Sequence, residues 1–130
     1  MANGIIRYGE EWHEALSSAA LKSGEEVLFR DESILIQGES ALKNDWFLTV
    51  TNRRLIVSKV GHWKAFFINF IFGQFGKKYL NRKPVYEIPL ASLTASDLQG
   101  NSVVMTTENG ETVTYSSTNK TMMQTLADFV

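Results

Sequence analysis

Over most of this 130-residue chain, apolar and polar residues alternate with the period of two that is typical of β-strands. Turn-forming pairs such as Asp31-Glu32, Thr51-Asn52 and Asn109-Gly110 interrupt the alternation at short intervals. Asn-Gly is the strongest hairpin signal among them, and Asn52 suits its turn because asparagine tolerates a left-handed backbone. The predicted strands are Glu25–Arg30, Ser33–Gln37, Trp46–Val50, Arg54–Ser58, Val85–Gln99, Ser102–Thr107 and Glu111–Tyr115.

Two segments show the helical spacing of three and four residues instead. In residues 8–22 this spacing places tryptophan, leucine and alanine side chains on one face, and Gly24 follows as a stop signal. We expect this helix to cover the scaffold, with binding to a partner as the alternative. Residues 118–130 carry a stripe that starts at Met122, which predicts a helix that plugs the open end of a bent sheet. A polar residue among 117–119 can cap it.

These elements predict a mainly β, α+β fold. The expected architecture is a partly open barrel of about seven antiparallel strands, with a C-terminal capping helix and an extra N-terminal helix. The length fits a single domain over residues 1–130. Pro89 has no N–H to donate, so it predicts a sheet edge or a bulge within Val85–Gln99.

One segment, residues 61–83, fits neither pattern and separates the fourth predicted strand from the fifth. Its apolar side chains point in nearly every direction on a helical wheel. Monomeric proteins rarely leave so large an apolar surface in water, so we expect contact with a membrane or with protein. The predicted contact residues are Trp63, Phe66, Phe67, Phe70, Ile71, Phe72 and Phe75.

Positive charge is concentrated in the same part of the chain. Residues 59–83 contain six lysines and arginines and no acid, whereas the other residues contain seven against 14 acids. This separation predicts an anionic partner, and the alternative is that the cations only keep an apolar helix soluble. The predicted anion contacts are Lys64, Lys77, Lys78, Arg82, Lys83 and Arg53.

Arg53 and Arg54 stand side by side after the Thr51-Asn52 turn. Adjacent residues of a strand point to opposite faces, so one arginine can reach solvent while the other packs over the sheet. An anion site is one interpretation of this pair. We favour the other, in which one arginine fixes the hairpin by bonding a carboxylate or a backbone carbonyl.

Residues 61–83, which we call the insertion, are too short to cross a bilayer. Its longest uncharged part, Ala65 to Gly76, would be about 18 Å long as a helix, against a hydrocarbon core of about 30 Å. Cations at both ends, with Trp63 and Tyr79 as border aromatic residues, favour a membrane interface. The weak amphipathic moment favours burial within the chain or between the subunits of a homo-oligomer.

Three stretches resemble bacterial pleckstrin-homology-like (PH-like) domains and the related GRAM domains. Phe47–Val57 is similar to their L-x-x-T-N-x-R-L-I motif, Glu87–Thr94 to their E-I-P-L-x-x-I strand, and Gly24–Leu28 to their opening. The resemblance covers about residues 24–130, with the insertion outside it. It implies two packed antiparallel sheets with a capping helix, and a non-catalytic module that binds lipids or proteins or forms assemblies.

The chain departs from this family pattern in two places. In lipid-binding members the loop that joins the first two strands is usually basic, whereas Arg30–Ser33 is acidic on balance. The resemblance therefore does not imply a headgroup pocket there. The long aromatic insertion is the second departure, and we expect any membrane contact to be made by it.

Other functions find little support in the sequence. No catalytic motif is present, and His13 and His62 do not form a metal-ligand spacing, so we expect no enzyme and no cofactor. The negative net charge argues against nucleic acid. With no cysteine, signal peptide or transmembrane helix visible, we predict a cytoplasmic protein with peripheral contact at the inner face of the membrane.

Overall fold

The structure is a computed structural model that describes residues 4–8, 20–39, 44–61 and 83–130, with only the backbone of Asn44, Gly61 and Lys83. The described residues form eight antiparallel strands and one α-helix. In chain order the elements are β1 (Ile6–Arg7), β2 (Val27–Ile36), β3 (Asn44–Thr51), β4 (Arg54–Gly61), β5 (Lys83–Pro89), β6 (Leu93–Gln99), β7 (Ser102–Thr107), β8 (Thr112–Ser116) and α1 (Lys120–Ala127).

The strands lie in the order β1-β5-β4-β3-β2-β8-β7-β6 in one open sheet. β2 joins its two halves, because it pairs with β3 over Val27–Ile34 and with β8 at Leu35 and Ile36. The predicted mainly β fold with a C-terminal helix is therefore confirmed. The described part of the chain has eight strands rather than the seven expected.

β2 continues through Asp31-Glu32, where the sequence predicts a turn between two strands. Its pairing with β3 shifts register between Phe29 and Glu32, and Asp31 has a left-handed φ of 49°. The Asp31 carboxylate accepts a hydrogen bond from the Thr49 hydroxyl at 3.0 Å. The predicted turn is wrong, and so is the loop placed at Arg30–Ser33, because these residues form a bulge in one bent strand.

The long strand predicted from Val85 to Gln99 is two strands. β5 ends at Pro89, and a 3-10 turn over Leu90–Ser92 separates it from β6. The Ser92 hydroxyl donates a hydrogen bond to the Pro89 carbonyl at 2.8 Å, which closes this turn. Because proline cannot extend a ladder, the break falls where the sequence predicted an irregularity.

Both asparagine turns form, but Asn52 acts differently from the prediction. Asn109-Gly110 joins β7 to β8, with Gly110 at a φ of 86°. Among the described non-glycine residues, positive φ is confined to Asp31, so Asn52 is not left-handed. Its side chain instead accepts a hydrogen bond from the Glu26 backbone N–H at 2.8 Å, which ties the β3–β4 turn to the segment before β2.

The C-terminal helix is confirmed and is shorter than the predicted 118–130. Asn119 caps it, because its side chain accepts a hydrogen bond from the Met122 N–H at 3.0 Å. The helix predicted over residues 8–22 lies mostly outside the described residues. Tyr8 and residues 20–22, which are described, are not helical.

One face of the sheet holds the core, and α1 packs against it over β6 and β7. The methionine stripe of α1 belongs to this core, as the sequence predicts. β4 is also buried on its other face, where Ile56 and Val60 lie. The large core side chains with no exposure are Leu48, Val50, Leu55, Val57, Ile88, Val103, Met105, Tyr115, Met122 and Leu126.

Candidate functional site

Several strand ends meet at one end of the sheet. β2 ends there at Ile36, and Asn44 at the start of β3 pairs with Gly61 at the end of β4. Lys59 lies opposite Lys83 at the start of β5, and β8 begins at the same end because it runs antiparallel to β2. This end is the mouth end of the sheet, and the β3–β4 turn lies at the opposite end.

A cleft of about 650 Å³ opens at the mouth end. β1, β5 and β8 contribute to its lining, together with the end of β2 and the start of β3. Its volume lies within the range of small-molecule sites in proteins, roughly 300–1,000 Å³. The apolar and aromatic residues that line it are Ile5, Ile36, Trp46, Val85, Tyr86 and Val113.

The hydroxyl groups of Tyr86 and Tyr115 lie 2.7 Å apart beside this cleft. Tyr115 has no exposure, and no other partner of its hydroxyl is found among the described residues. If Tyr86 donated this bond, the hydroxyl proton of Tyr115 would be buried without an acceptor, which is costly. Tyr115 is therefore the donor, and the hydroxyl proton of Tyr86 remains available in the cleft lining.

Two further buried donors, in residues that line the cleft, have no partner of ordinary hydrogen-bond geometry. In the described part of the chain, the buried side-chain polar atoms without such a partner are Trp46 Nε1 and the Tyr8 hydroxyl. Both residues line the cleft. Burial, and then the charge of the adjacent Glu87 carboxylate, raise the pKa of Tyr8 to about 12. A hydrogen bond to Glu87 acts in the same direction, so the Tyr8 hydroxyl lies next to this carboxylate and is not a free donor for the cleft.

The charged groups of the cleft leave no excess of positive charge. Arg7 donates a hydrogen bond to Glu111 at 2.8 Å, and this bond lowers the pKa of the Glu111 carboxyl. Glu39 adds a second carboxylate to the lining. Burial raises the pKa of Tyr86 to about 12, and the charge of Glu39 acts in the same direction. Among the described lining residues, two acids thus face one cation.

The opposite end of the sheet holds a buried charge cluster. The guanidinium of Arg54 bonds Glu25 at 2.9 Å and Glu87 at 3.1 Å, and it also donates to the Ala20 carbonyl at 2.7 Å. The Thr51 hydroxyl donates a further hydrogen bond to the Glu25 carboxylate, at 2.7 Å. Burial alone would raise the pKa of Glu25, but the hydrogen bonds from Arg54 and Thr51 outweigh it and lower the pKa to about 2.

This cluster confirms the structural interpretation of the arginine pair. Arg54 is 2% exposed and fixes the hairpin through two carboxylates, whereas Arg53 is exposed at the β3–β4 turn. Because β4 runs from Arg54 to Gly61, Arg53 lies about 20 Å or more from the mouth end. The structure therefore does not bring Arg53 together with Lys83.

The other predicted site residues lie outside the described residues. This holds for all seven apolar contacts from Trp63 to Phe75, for Lys64, Lys77, Lys78 and Arg82, and for the side chain of Lys83. The residues that precede and follow the insertion are described, and both are at the mouth end. Sequence reasoning missed the cleft beside them, because its lining comes from five strands that are distant in the chain.

No protein-family model, curated protein or solved structure matches this chain. In the described part of the chain, no helix combines the length and the apolar character needed to cross a bilayer.

Proposed function

We propose that this chain is a non-catalytic interaction module of the PH-like type, which docks on anionic membrane surfaces through residues 61–83. The fold supports the first half of this proposal. β2 to β8 are seven consecutive antiparallel strands of one open sheet, and α1 follows them and packs against it, which is consistent with the partly open barrel and capping helix expected from the sequence. The Phe47–Val57 motif forms the β3–β4 hairpin, and Glu87-Ile88-Pro89 ends β5.

The pairing of Lys59 with Lys83 is the observation that carries the second half. It means that the chain leaves the sheet after β4 and returns to it at β5 at one point of the mouth end. The insertion, with its aromatic residues and cations, is thereby attached at both ends to two strands that are hydrogen-bonded to each other. A tethered segment with no acid and five cations from Lys64 to Lys83 suits a flat anionic partner.

Electrostatic attraction and shallow apolar insertion would act together at such a surface. Each lysine or arginine near an anionic leaflet contributes about 1 kcal/mol, and this contribution weakens as salt screens it. Buried phenylalanine side chains contribute roughly 1.5–3 kcal/mol each. A few residues of each kind therefore suffice for reversible binding, whereas a single contribution alone would be marginal.

The connection between β2 and β3 does not offer a competing basic pocket. It comprises residues 37–43, and its charged residues are Glu39 and Lys43. Since these cancel, this connection adds no net positive charge, and the insertion keeps the largest run of cations without an acid. Arg30–Ser33, where the sequence predicted an acidic loop between the first two strands, lie inside β2, and residues 37–43 form the loop instead.

Co-sedimentation with vesicles tests the proposal. The wild-type chain should bind vesicles that contain phosphatidylserine, release them at high salt, and ignore phosphatidylcholine vesicles. Lys77→Glu/Lys78→Glu should lose binding. The matched control, Arg30→Glu/Lys120→Glu, reverses two exposed cations outside the insertion and should bind normally.

The rival function is a homo-oligomeric scaffold that buries the insertion between subunits. Light scattering on the same samples separates the two. A multimer that does not bind vesicles and dissociates on Phe67→Asp or Phe70→Asp would replace the membrane proposal with this one.

A further inference from the structure

We propose that the cleft at the mouth end is a binding site for a small, uncharged ligand that combines an apolar body with a carbonyl-type hydrogen-bond acceptor. Each residue used below is described and none belongs to the insertion, so the site can be tested apart from it. It therefore stands or falls separately from membrane docking.

Unused hydrogen-bond donors are the first part of the argument. Trp46 is 8% exposed and lines the cleft, and its buried indole N–H has no acceptor among the described residues. The Tyr86 hydroxyl accepts the bond from Tyr115, which leaves its own proton for a further acceptor. Buried donors are almost always paired in native proteins, so the remaining proton of Tyr86 favours a ligand that brings an acceptor. The Trp46 N–H has almost no accessible surface and lies behind the cleft wall, so it is not a contact for this ligand.

The apolar lining sets the body of the ligand. Ile5, Ile36 and Val113 line the cleft together with the two aromatic residues, and polar side chains such as Gln37 and Thr114 make up the rest of the wall. The cleft volume of about 650 Å³ can hold a ligand of one or two rings or a short acyl chain. Water in the cleft could bond the Tyr86 hydroxyl but would leave the apolar side chains wet. A ligand with one acceptor and an apolar body bonds the Tyr86 hydroxyl and also covers the apolar side chains.

The charges of the lining disfavour an anion. Arg7 is already paired with Glu111, and Glu39 adds a negative charge. A carboxylate, phosphate or sulfonate would therefore meet two carboxylates and one neutralised cation. The same chemistry makes this cleft a poor headgroup pocket, which separates its ligand from the anionic surface proposed for the insertion.

The probe is an uncharged naphthyl ketone dye, propionyl-dimethylaminonaphthalene, whose emission shifts to the blue on entering an apolar site. We expect saturable binding of one dye per chain. A naphthalene sulfonate dye of similar size should bind at least tenfold more weakly. Glu39→Lys, a change at an exposed residue, should raise the affinity for the sulfonate dye and leave that for the ketone nearly unchanged.

Three variants locate the dye. Val113→Trp fills the cleft and should abolish binding, and Tyr86→Phe should weaken it by about fivefold while leaving the volume free. Phe67→Asp changes only the insertion and should leave binding unchanged. Thermal melting shows whether each variant is folded.

The opposite pattern overturns the inference. If a folded Val113→Trp chain binds the ketone normally, or if Phe67→Asp abolishes binding, the dye sits elsewhere and the cleft is not its site. Equal binding of the ketone and the sulfonate by the wild-type chain would overturn the charge argument, and absence of ketone binding would overturn the site.

Discussion

The hydroxyls of Tyr115 and Tyr86 lie 2.7 Å apart, and the hydrogen bond between them, to which we assign Tyr115 as the donor, links β8 to β5 in the other half of the sheet. The two residues differ in their surroundings. Tyr115 is completely buried, whereas Tyr86 is partly exposed and lines the cleft. The bond therefore joins the two halves and leaves a donor at the candidate ligand site.

The two tyrosines should respond unequally to loss of their hydroxyls. Tyr86→Phe leaves the Tyr115 hydroxyl buried without a partner, which should cost about 1–3 kcal/mol of unfolding free energy. Tyr115→Phe leaves Tyr86 free to bond water in the cleft and should cost about 1 kcal/mol or less. Urea unfolding measures both. Equal losses, or the reverse order, would contradict the difference in burial between the two hydroxyls.

Removal of the Arg54 guanidinium should be among the most damaging single changes at the β3–β4 hairpin. Arg54→Met leaves the carboxylates of Glu25 and Glu87 buried without a counter-charge, and breaking buried pairs in this way costs about 3–5 kcal/mol. Arg53→Met is the matched control, since it removes an exposed neighbour and should change stability by about 0.5 kcal/mol or less. Thermal and urea unfolding should separate the two variants clearly; similar stabilities would contradict a structural role for the cluster.

Acid should destabilise the protein through Glu25. Its folded pKa of about 2 lies below the ordinary value of 4.5, so the unfolded chain takes up the proton first as the pH falls. The stabilisation from Glu25 is complete above about pH 4.5 and is lost as the pH falls towards 2. Urea midpoints measured across this range should fall steeply in the wild type.

In Glu25→Gln the urea midpoint should fall less steeply between about pH 4.5 and 2, and it should be lower than that of the wild type at neutral pH. Glu111→Gln is the control, because its carboxyl is exposed and its lowered pKa reflects a surface pair with Arg7. An acid limb that is as steep in Glu25→Gln as in the wild type would show that other carboxylates govern the loss.

The bulge in β2 should reverse the usual ranking of alanine and glycine in a strand. Asp31 has a φ of 49°, where alanine is strained by roughly 1–2 kcal/mol and glycine is not. Asp31→Gly should therefore be more stable than Asp31→Ala, although both lose the bond to Thr49. If alanine proves the better residue, the bulge relaxes to a regular strand.

The strands that could be predicted from the sequence are those in which local pattern and tertiary pairing agree. Ser102–Thr107 was predicted with the bounds that β7 has, because a turn limits it on each side. The predicted turn at Asp31-Glu32 failed because a polar pair can also form a bulge, and only the pairing of β2 with both β3 and β8 selects it. β1 has two residues, which is too short for any periodicity.

The site was less predictable than the fold. The sequence predicted that one arginine of the Arg53-Arg54 pair fixes the hairpin but not which one. The structure shows that it is Arg54, which bonds two carboxylates. Tyr86 and Tyr115 are 29 residues apart, and nothing local marks them as a pair. The predicted contacts in residues 62–82 remain predictions, and so does the family resemblance.

Deletion of the insertion tests the central claim most directly. Replacing residues 62–82 by Asn-Gly leaves a four-residue connection between the paired Lys59 and Lys83, a length that hairpins commonly use. The shortened chain should unfold cooperatively and bind the naphthyl ketone as the full chain does, but it should no longer sediment with phosphatidylserine vesicles at low salt. A folded, shortened chain that still sediments with these vesicles in a salt-dependent manner would contradict the account, because the membrane contact would then lie on the sheet itself.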